Sequence, residues 1–353
     1  MGTKARMTRK ERILAAMNHE EVDRLPTDYW GVPEITRKLL RHFNVKTFEE
    51  VCDILRIDYI QFVEPKFLGR PDPNADMWGI TTKAVSLRDG SSYQEPLAFP
   101  IGNYETIDEI EANYVWPSTE LFDYSVIPEQ IRQKQDFAIH GGYISLTYFY
   151  ELIRGTEQML VDMIADRPMA EYIFYKLQEF SYAHTQKILD AGDGKIHVSE
   201  VTDDLGSQNG LIMSMDMVDG YLSKYYAENI KLVKSYGSKV FHHDDGAMTD
   251  ALPWLTRKGI ELLNPLQWHL PKWELPELKK TYGRQLCFHG GVDNQNVLPF
   301  GTPEDVKKEV YACADALFTD RTGYILAPCH NLQGFTPVEN IIAMYEAADA
   351  YGA

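Results

Sequence analysis

Short apolar runs that end in polar residues alternate with amphipathic stretches along most of this chain, and few architectures accept that rhythm. The runs are residues 57–63, 137–140, 196–201, 239–243, 260–266, 286–290 and 324–327. Apolar runs of this length read as strands covered on both faces, which a helix-flanked parallel sheet provides. With helices between them, they predict an α/β protein, a (β/α)8 TIM barrel with one strand unrecognised. A doubly wound open sheet is the alternative.

The intervening stretches carry helix signals. Residues 156–189 are long and amphipathic, and Pro168 is expected to kink or divide them. In 214–235 the residues Met215, Val218, Leu222, Tyr226, Ile230 and Val233 recur on one helical face. Thr302-Pro303-Glu304 supplies an N-cap, a first-turn proline and an acidic first turn, and Thr336-Pro337-Val338-Glu339 repeats the device. Residues 69–117 break the rhythm. They are polar, aromatic and turn-rich with weak hairpin alternation, and read as an elaborated loop or small subdomain after the first strand, a lid or wall of the active site.

Charge narrows the partners. The chain carries 35 Lys and Arg against 52 Asp and Glu, a formal net charge of −17. That balance argues against nucleic acid and anionic membranes, which demand an excess of cations. Lys4, Arg6, Arg9, Lys10 and Arg12 form the one basic stretch, expected to be a solvated helix start. Met1–Arg6 reads as an extension ahead of a second start at Met7. No run approaches the roughly 20 apolar residues of a membrane span. Four irregularly spaced cysteines, Cys52, Cys287, Cys313 and Cys329, suit a reducing cytoplasm better than a disulfide framework.

Chemistry gathers where the runs end. Glu64, His140, Glu200, Asp203, Asp204, His242–Asp245, Gln267, His269, His289, Asp293, Cys329 and His330 all fall at or just beyond such ends. In parallel α/β proteins those ends build the active site. Strand alternation puts His243 and Asp245 on one face and His242 and Asp244 on the other. An imidazole and a carboxylate two apart, joined by a thiolate or imidazole from a distant strand, make an open three-ligand zinc site. The same spacing suits a hydrogen-bonded His–Asp cluster without metal. Glycines at 141, 142, 206, 246, 290 and 291 permit tight turns and close ligand approach, but no GxGxxG or P-loop pattern supports nucleotide binding.

Several motifs are shared with a known group. Thr8-Arg9-Lys10-Glu11-Arg12 followed by Asp23-Arg24-Leu25-Pro26 resembles the opening of the uroporphyrinogen decarboxylase superfamily. So do Asp203-Asp204-Leu205-Gly206-Ser207-Gln208, Phe288-His289-Gly290-Gly291-Val292-Asp293, the tail from Gly323 to Asn331, and Thr336-Pro337-Val338-Glu339-Asn340. The resemblance covers essentially the whole chain and implies one barrel domain over 1–353, with a dimer fitting the family.

Two chemistries follow from it. True decarboxylases need neither metal nor cofactor and grip a polyanionic porphyrinogen with an arginine-rich loop. Here that stretch reads Thr27-Asp28-Tyr29-Trp30-Gly31-Val32, without arginine, and Arg70 and Arg154 are the candidate replacements. Bidentate arginine–carboxylate pairs are hard to replace. The other branch comprises zinc- and corrinoid-dependent methyltransferases with a His-x-Cys and a distant Cys as ligands. The matching positions are His243, Asp245 and His330, with Cys329 one residue aside. Asp in place of Cys makes a harder site suited to an oxygen-bearing substrate.

The resemblance thus implies a methyltransferase moving a methyl group between a small-molecule substrate and a corrinoid on a partner protein. Glu200, Asp203 or Asp204 would position substrate or exchange a proton, with His289 and Tyr148 as further catalytic candidates. A cofactor-free decarboxylase using His330 is the alternative, and a catalytically silent binding barrel is a third reading.

Overall fold

The computed structural model describes residues 6–86 and 92–352, so Met1–Ala5 of the expected N-terminal extension, with Lys4 of the basic stretch, lie outside the described residues. Seven strands form one parallel sheet in chain order: β1 (Ile60–Phe62), β2 (Ala138–Ser145), β3 (Val198–Thr202), β4 (Lys239–His243), β5 (Leu262–Asn264), β6 (Cys287–Val292) and β7 (Tyr324–Pro328). Each lies on or overlaps one of the apolar runs. Strands β3, β5, β6 and β7 are buried at every position, as two-sided cover requires.

The unrecognised eighth stave is the stretch just before Tyr29, between β7 and β1. Leu326 N–H donates to Pro26 O at 2.9 Å and Asp28 N–H to Leu326 O at 2.9 Å, while Asp58 and Tyr59 N–H both reach Thr27 O at 3.2 Å. This closes the sheet into a barrel. The stretch is short and contains Pro26, so it has neither the apolar run nor the alternation that marks a strand. A buried ion network pins it: Asp58 accepts from Thr27 N–H at 3.0 Å, Arg12 at 2.5 Å and Arg24 at 2.7 Å. Arg12 also holds Asp23, and Arg9 pairs with Asp53, so these two cations of the basic stretch are engaged within the fold.

Helix boundaries follow the local signals. Pro168 sits at the second position of Arg167–Gly192, and the stretch divides there from Thr156–Ala165 with Asp166 as N-cap. Ser214 caps Met215–Ser235, and Thr302 forms a capping box with Asp305. The second device fails: Val338–Ala350 has Pro337 at its N-cap, makes no side-chain cap bond, and Thr336 is buried. The proline displaces the threonine from the capping position.

The insertion contains an antiparallel hairpin, Thr82–Ser86 with Ser92–Pro96, and a helix, Ile107–Asn113, whose capping box is Thr106 and Glu109. A short strand pair, Lys66–Phe67 with Phe122–Asp123, ties its base. Trp78 anchors it, fully buried against Phe149 and Phe180 at ring distances of 4.7 and 5.2 Å. No helix among the described residues is long and apolar enough to cross a membrane.

Candidate active site

Alternation along β4 separates two histidine–aspartate pairs. His242 and Asp244 turn outward, both fully buried. His242 Nδ1 lies 3.1 Å from Val201 O, and Asp244 accepts the Leu205 and Gly206 amides at 3.0 and 2.9 Å. Burial pushes His242 down to about 4 and Asp244 well above the usual carboxylate range. This pair braces the loop after β3. That loop comes so close to the next that a Cβ on Gly206 would stand 2.3 Å from Asp245 O.

His243 and Asp245 face the barrel mouth, where His330 joins them from beyond β7. Asp245 Oδ2 lies 3.8 Å from His243 Nε2 and 3.7 Å from His330 Nε2, and one ligand atom from each residue lies within 4.8 Å of the others. Two atoms on a tetrahedral zinc at about 2.0–2.1 Å would stand roughly 3.4 Å apart, so small rotamer shifts suffice. The other Asp245 oxygen, Oδ1, is buried without a hydrogen-bond partner, which also fits a cation. Burial lowers the His243 ring's proton affinity, but Glu200, Asp245 and a bond to Asn264 outweigh it and hold its pKa above the ordinary value. Burial pulls His330 the other way.

Cys329 stands apart. Its thiol is buried and donates to Leu266 O at 3.2 Å, and burial raises it far above the usual thiol range. Cys329 and His330 both lie past the end of β7, and there only the His330 ring turns to Asp245. It lies outside the ligand group.

The proposed proton-handling residues take different places. Asp203 caps the helix Leu146–Arg154 from the neighbouring strand end, accepting Thr147 N–H at 2.6 Å, Thr147 Oγ1–H at 2.7 Å and Ser145 Oγ–H at 3.2 Å. Burial nonetheless raises it to about 6. Asp204 accepts the Asp245 amide at 3.2 Å and so holds the ligand-bearing loop. Tyr148 is partly exposed, and burial followed by the charge of Asp204 raises its hydroxyl. His289 is fully buried between Asp28 at 2.9 Å and Asn264 at 2.7 Å, away from the mouth. Two other strand-end residues serve the scaffold, His269 pairing with Glu309 and Asp293 capping the turn after β6, while Glu64 bonds Gln130 through its backbone and lines the cavity described next.

Glu200 lines a cavity of about 400 Å³ between the barrel mouth and the insertion. Five phenylalanines, Phe62, Phe67, Phe122, Phe149 and Phe180, line it together with Met77 from the insertion and with His184 and Ile188 from the helix Arg167–Gly192. Burial pushes Glu200 up to about 7, and His140, 3.6 Å away, is pushed down to about 3 by burial in the same wall. None of the three ligand residues lines this cavity; its links to them are Glu200, whose charge acts on His243, and Phe62. That ring packs on Trp30, which stacks on His243 at 5.6 Å.

No Lys or Arg lines this cavity among the described residues. Arg154 is buried against Asp162 and the Ile101 and Tyr104 carbonyls, and Arg70 bonds Val115 O. Neither replaces the missing arginine loop. Sequence reasoning missed Asn264, which interrupts the apolar run 260–266, and the inward role of Asp28. Only that polar break before Pro265 marked Asn264.

The structure is similar to a methyltransferase from Methanosarcina mazei, with TM-score 0.70 and 17% identity, covering 98% of this chain and 100% of that one. A B12-independent methionine synthase from Shewanella sp. W3-18-1, in complex with selenomethionine, gives TM-score 0.49 and 13% identity over 92% of this chain and 97% of that one. No curated protein matches the chain. The family model described as uroporphyrinogen decarboxylase (URO-D) matches residues 137–351, more than half of the chain and the whole stretch carrying Glu200, His243, Asp245 and His330: this chain belongs to the uroporphyrinogen decarboxylase family.

Proposed function

We propose that this protein is a methyltransferase, moving a methyl group between a small, uncharged, oxygen-bearing substrate and a corrinoid carried by a partner protein. The observation that carries the reading is the adjacency of the His243–Asp245–His330 group to an aromatic cavity without cationic side chains. Three protein ligands leave a fourth position open, and a carboxylate among them suits an oxygen-bearing substrate. Zinc held there would supply Lewis-acid polarisation of the substrate oxygen.

The chain's own groups supply the rest. The aromatic walls exclude water and select an apolar substrate body. Glu200, raised to about 7, carries a proton over much of the neutral range and can release it to the departing oxygen. In a balanced transfer the methyl–oxygen bond breaks, its electron pair stays on oxygen, the oxygen gains the Glu200 proton, and the methyl group passes to the reduced corrinoid. The four unpaired cysteines suit a cytoplasmic location for this chemistry.

The test is anaerobic. Protein purified without chelator is analysed for metal, then mixed with a reduced corrinoid and small methyl ethers or methanol. Bound zinc and formation of the methylated corrinoid support the reading. Metal-independent decarboxylation of uroporphyrinogen would replace it with the cofactor-free alternative.

A further inference from the structure

Three hydrogen bonds link Asp28, on the barrel-closing stave, to the ligand group. Asp28 Oδ2 is 2.9 Å from His289 Nε2, His289 Nδ1 is 2.7 Å from Asn264 Nδ2, and Asn264 Oδ1 is 2.6 Å from His243 Nδ1. Asp28, His289 and Asn264 are all fully buried, so water does not compete for these bonds. The direction of each bond can be worked out from obligate donors.

Ile60 N–H donates to Asp28 Oδ1 at 2.7 Å and the Trp30 indole N–H to Oδ2 at 3.2 Å. Neither group can accept, so both Asp28 oxygens face the site as acceptors. His289 must then donate from Nε2, which leaves Nδ1 as a lone pair. That lone pair takes the Asn264 amide N–H, an orientation that a second contact from Asn264 Nδ2 to His289 O at 3.4 Å also favours. Asn264 consequently presents its oxygen to His243, whose Nδ1 must carry the hydrogen.

We propose that Asp28, acting through His289 and Asn264, sets the tautomer of His243 so that its Nε2 lone pair is free and directed at Asp245 and His330. Asp28, His289 and Asn264 are positioning residues, and none touches substrate. The bond that orients a ligating imidazole governs which nitrogen is free to bind. The consequence for metal binding rests on the reading of His243, Asp245 and His330 as a metal group; the tautomer is a property of the metal-free chain.

The polarity can be reversed with almost no change of shape. In Asp28→Asn the amide keeps its oxygen on the shorter bond from the Ile60 N–H, gives up the longer one from the Trp30 indole, and its nitrogen in place of Oδ2 donates to His289 Nε2. His289 then carries its hydrogen on Nδ1, Asn264 turns its oxygen toward His289 and its amide toward His243, and His243 is left with hydrogen on Nε2. The nitrogen that faced the ligand group is blocked.

The experiment uses full-length, metal-free protein labelled with 15N in histidine, with long-range proton–nitrogen correlations recorded above the titration of His243. His243→Gln assigns the resonance. Wild type is expected to show His243 protonated on Nδ1 alone and His289 on Nε2 alone. Asp28→Asn is expected to invert both, and to weaken zinc uptake by about 10- to 100-fold. Asn264→Asp, which keeps an acceptor against His243, is expected to leave His243 unchanged while altering His289.

Wild-type His243 with hydrogen on Nε2 overturns the proposal whether or not any variant folds. A folded Asp28→Asn with His243 unchanged overturns it as well. A wild type with the expected tautomers that takes up no zinc upholds the relay and removes the metal reading alone.

Discussion

The rings of His243, at the end of β4, and His330, just past β7, lie 5.6 Å apart with the Asp245 carboxylate within 4 Å of both. Parallel strands all end at the same side of a barrel, so residues far apart in the chain meet there without special loops.

The first prediction concerns that group. Zinc titration followed by calorimetry should show one tight site in wild type. His243→Ala, Asp245→Ala and His330→Ala should each weaken it by more than about a hundredfold, beyond what supporting partners command. Cys329→Ser should leave it unchanged, because the thiol bonds Leu266 O instead. Loss of zinc binding in Cys329→Ser alone would reassign the ligands.

Uroporphyrinogen should not be turned over. Each missing charged hydrogen bond to a substrate carboxylate forfeits about 1.5–3 kcal/mol. Two such losses weaken binding by roughly a hundredfold or more. An anaerobic assay following coproporphyrinogen checks this, and turnover at about 1 per second or faster would defeat it.

Asp203 should make stability fall with rising pH. Burial raises its folded pKa from 3.8 to about 6, so between those values the folded chain holds a proton that the unfolded chain releases. Its contribution is therefore complete below about 4 and lost as pH climbs through about 6, on the order of 3 kcal/mol in all. Asp203→Asn retains an oxygen for Thr147 and should abolish this slope, so that the variant gains on wild type as pH rises. Urea unfolding across that window checks it, and parallel curves for the two proteins would refute the assignment.

Asp58→Ala should destabilise the fold by about 3–5 kcal/mol, because it takes the acceptor from the buried Arg12 Nη1 and from the Thr27 amide, breaks the Arg24 pair and releases the closing stave. The Leu326 amide, bonded to Pro26 O, should exchange faster with solvent. A loss below about 1 kcal/mol would place this network with ordinary surface pairs.

Much of this architecture was legible along the chain. The apolar runs ending at His243, Gly290 and Ala327 marked strands because a two-sided buried strand needs little beyond its own residues to be recognised. Pro168 and Thr302 marked helix boundaries through local backbone chemistry. The stave at Thr27 escaped because its pairing comes from Leu326 and Asp58, whose proximity no local pattern encodes. Thr336 misled because a threonine before proline satisfies the capping pattern without occupying the capping position.

The candidate site divides along the same line. Residue order alone established that His243 and Asp245 share a face, since alternation is a property of the extended backbone. Which face turned inward, that His330 rather than Cys329 meets them, and that Asp203 caps a helix were decided by packing. The direction of the chain from Asp28 to His243 was decided last and only by folding. Hydrogen-bond polarity belongs to a set of partners, and Asp28, Asn264 and His289 become partners only when the barrel closes.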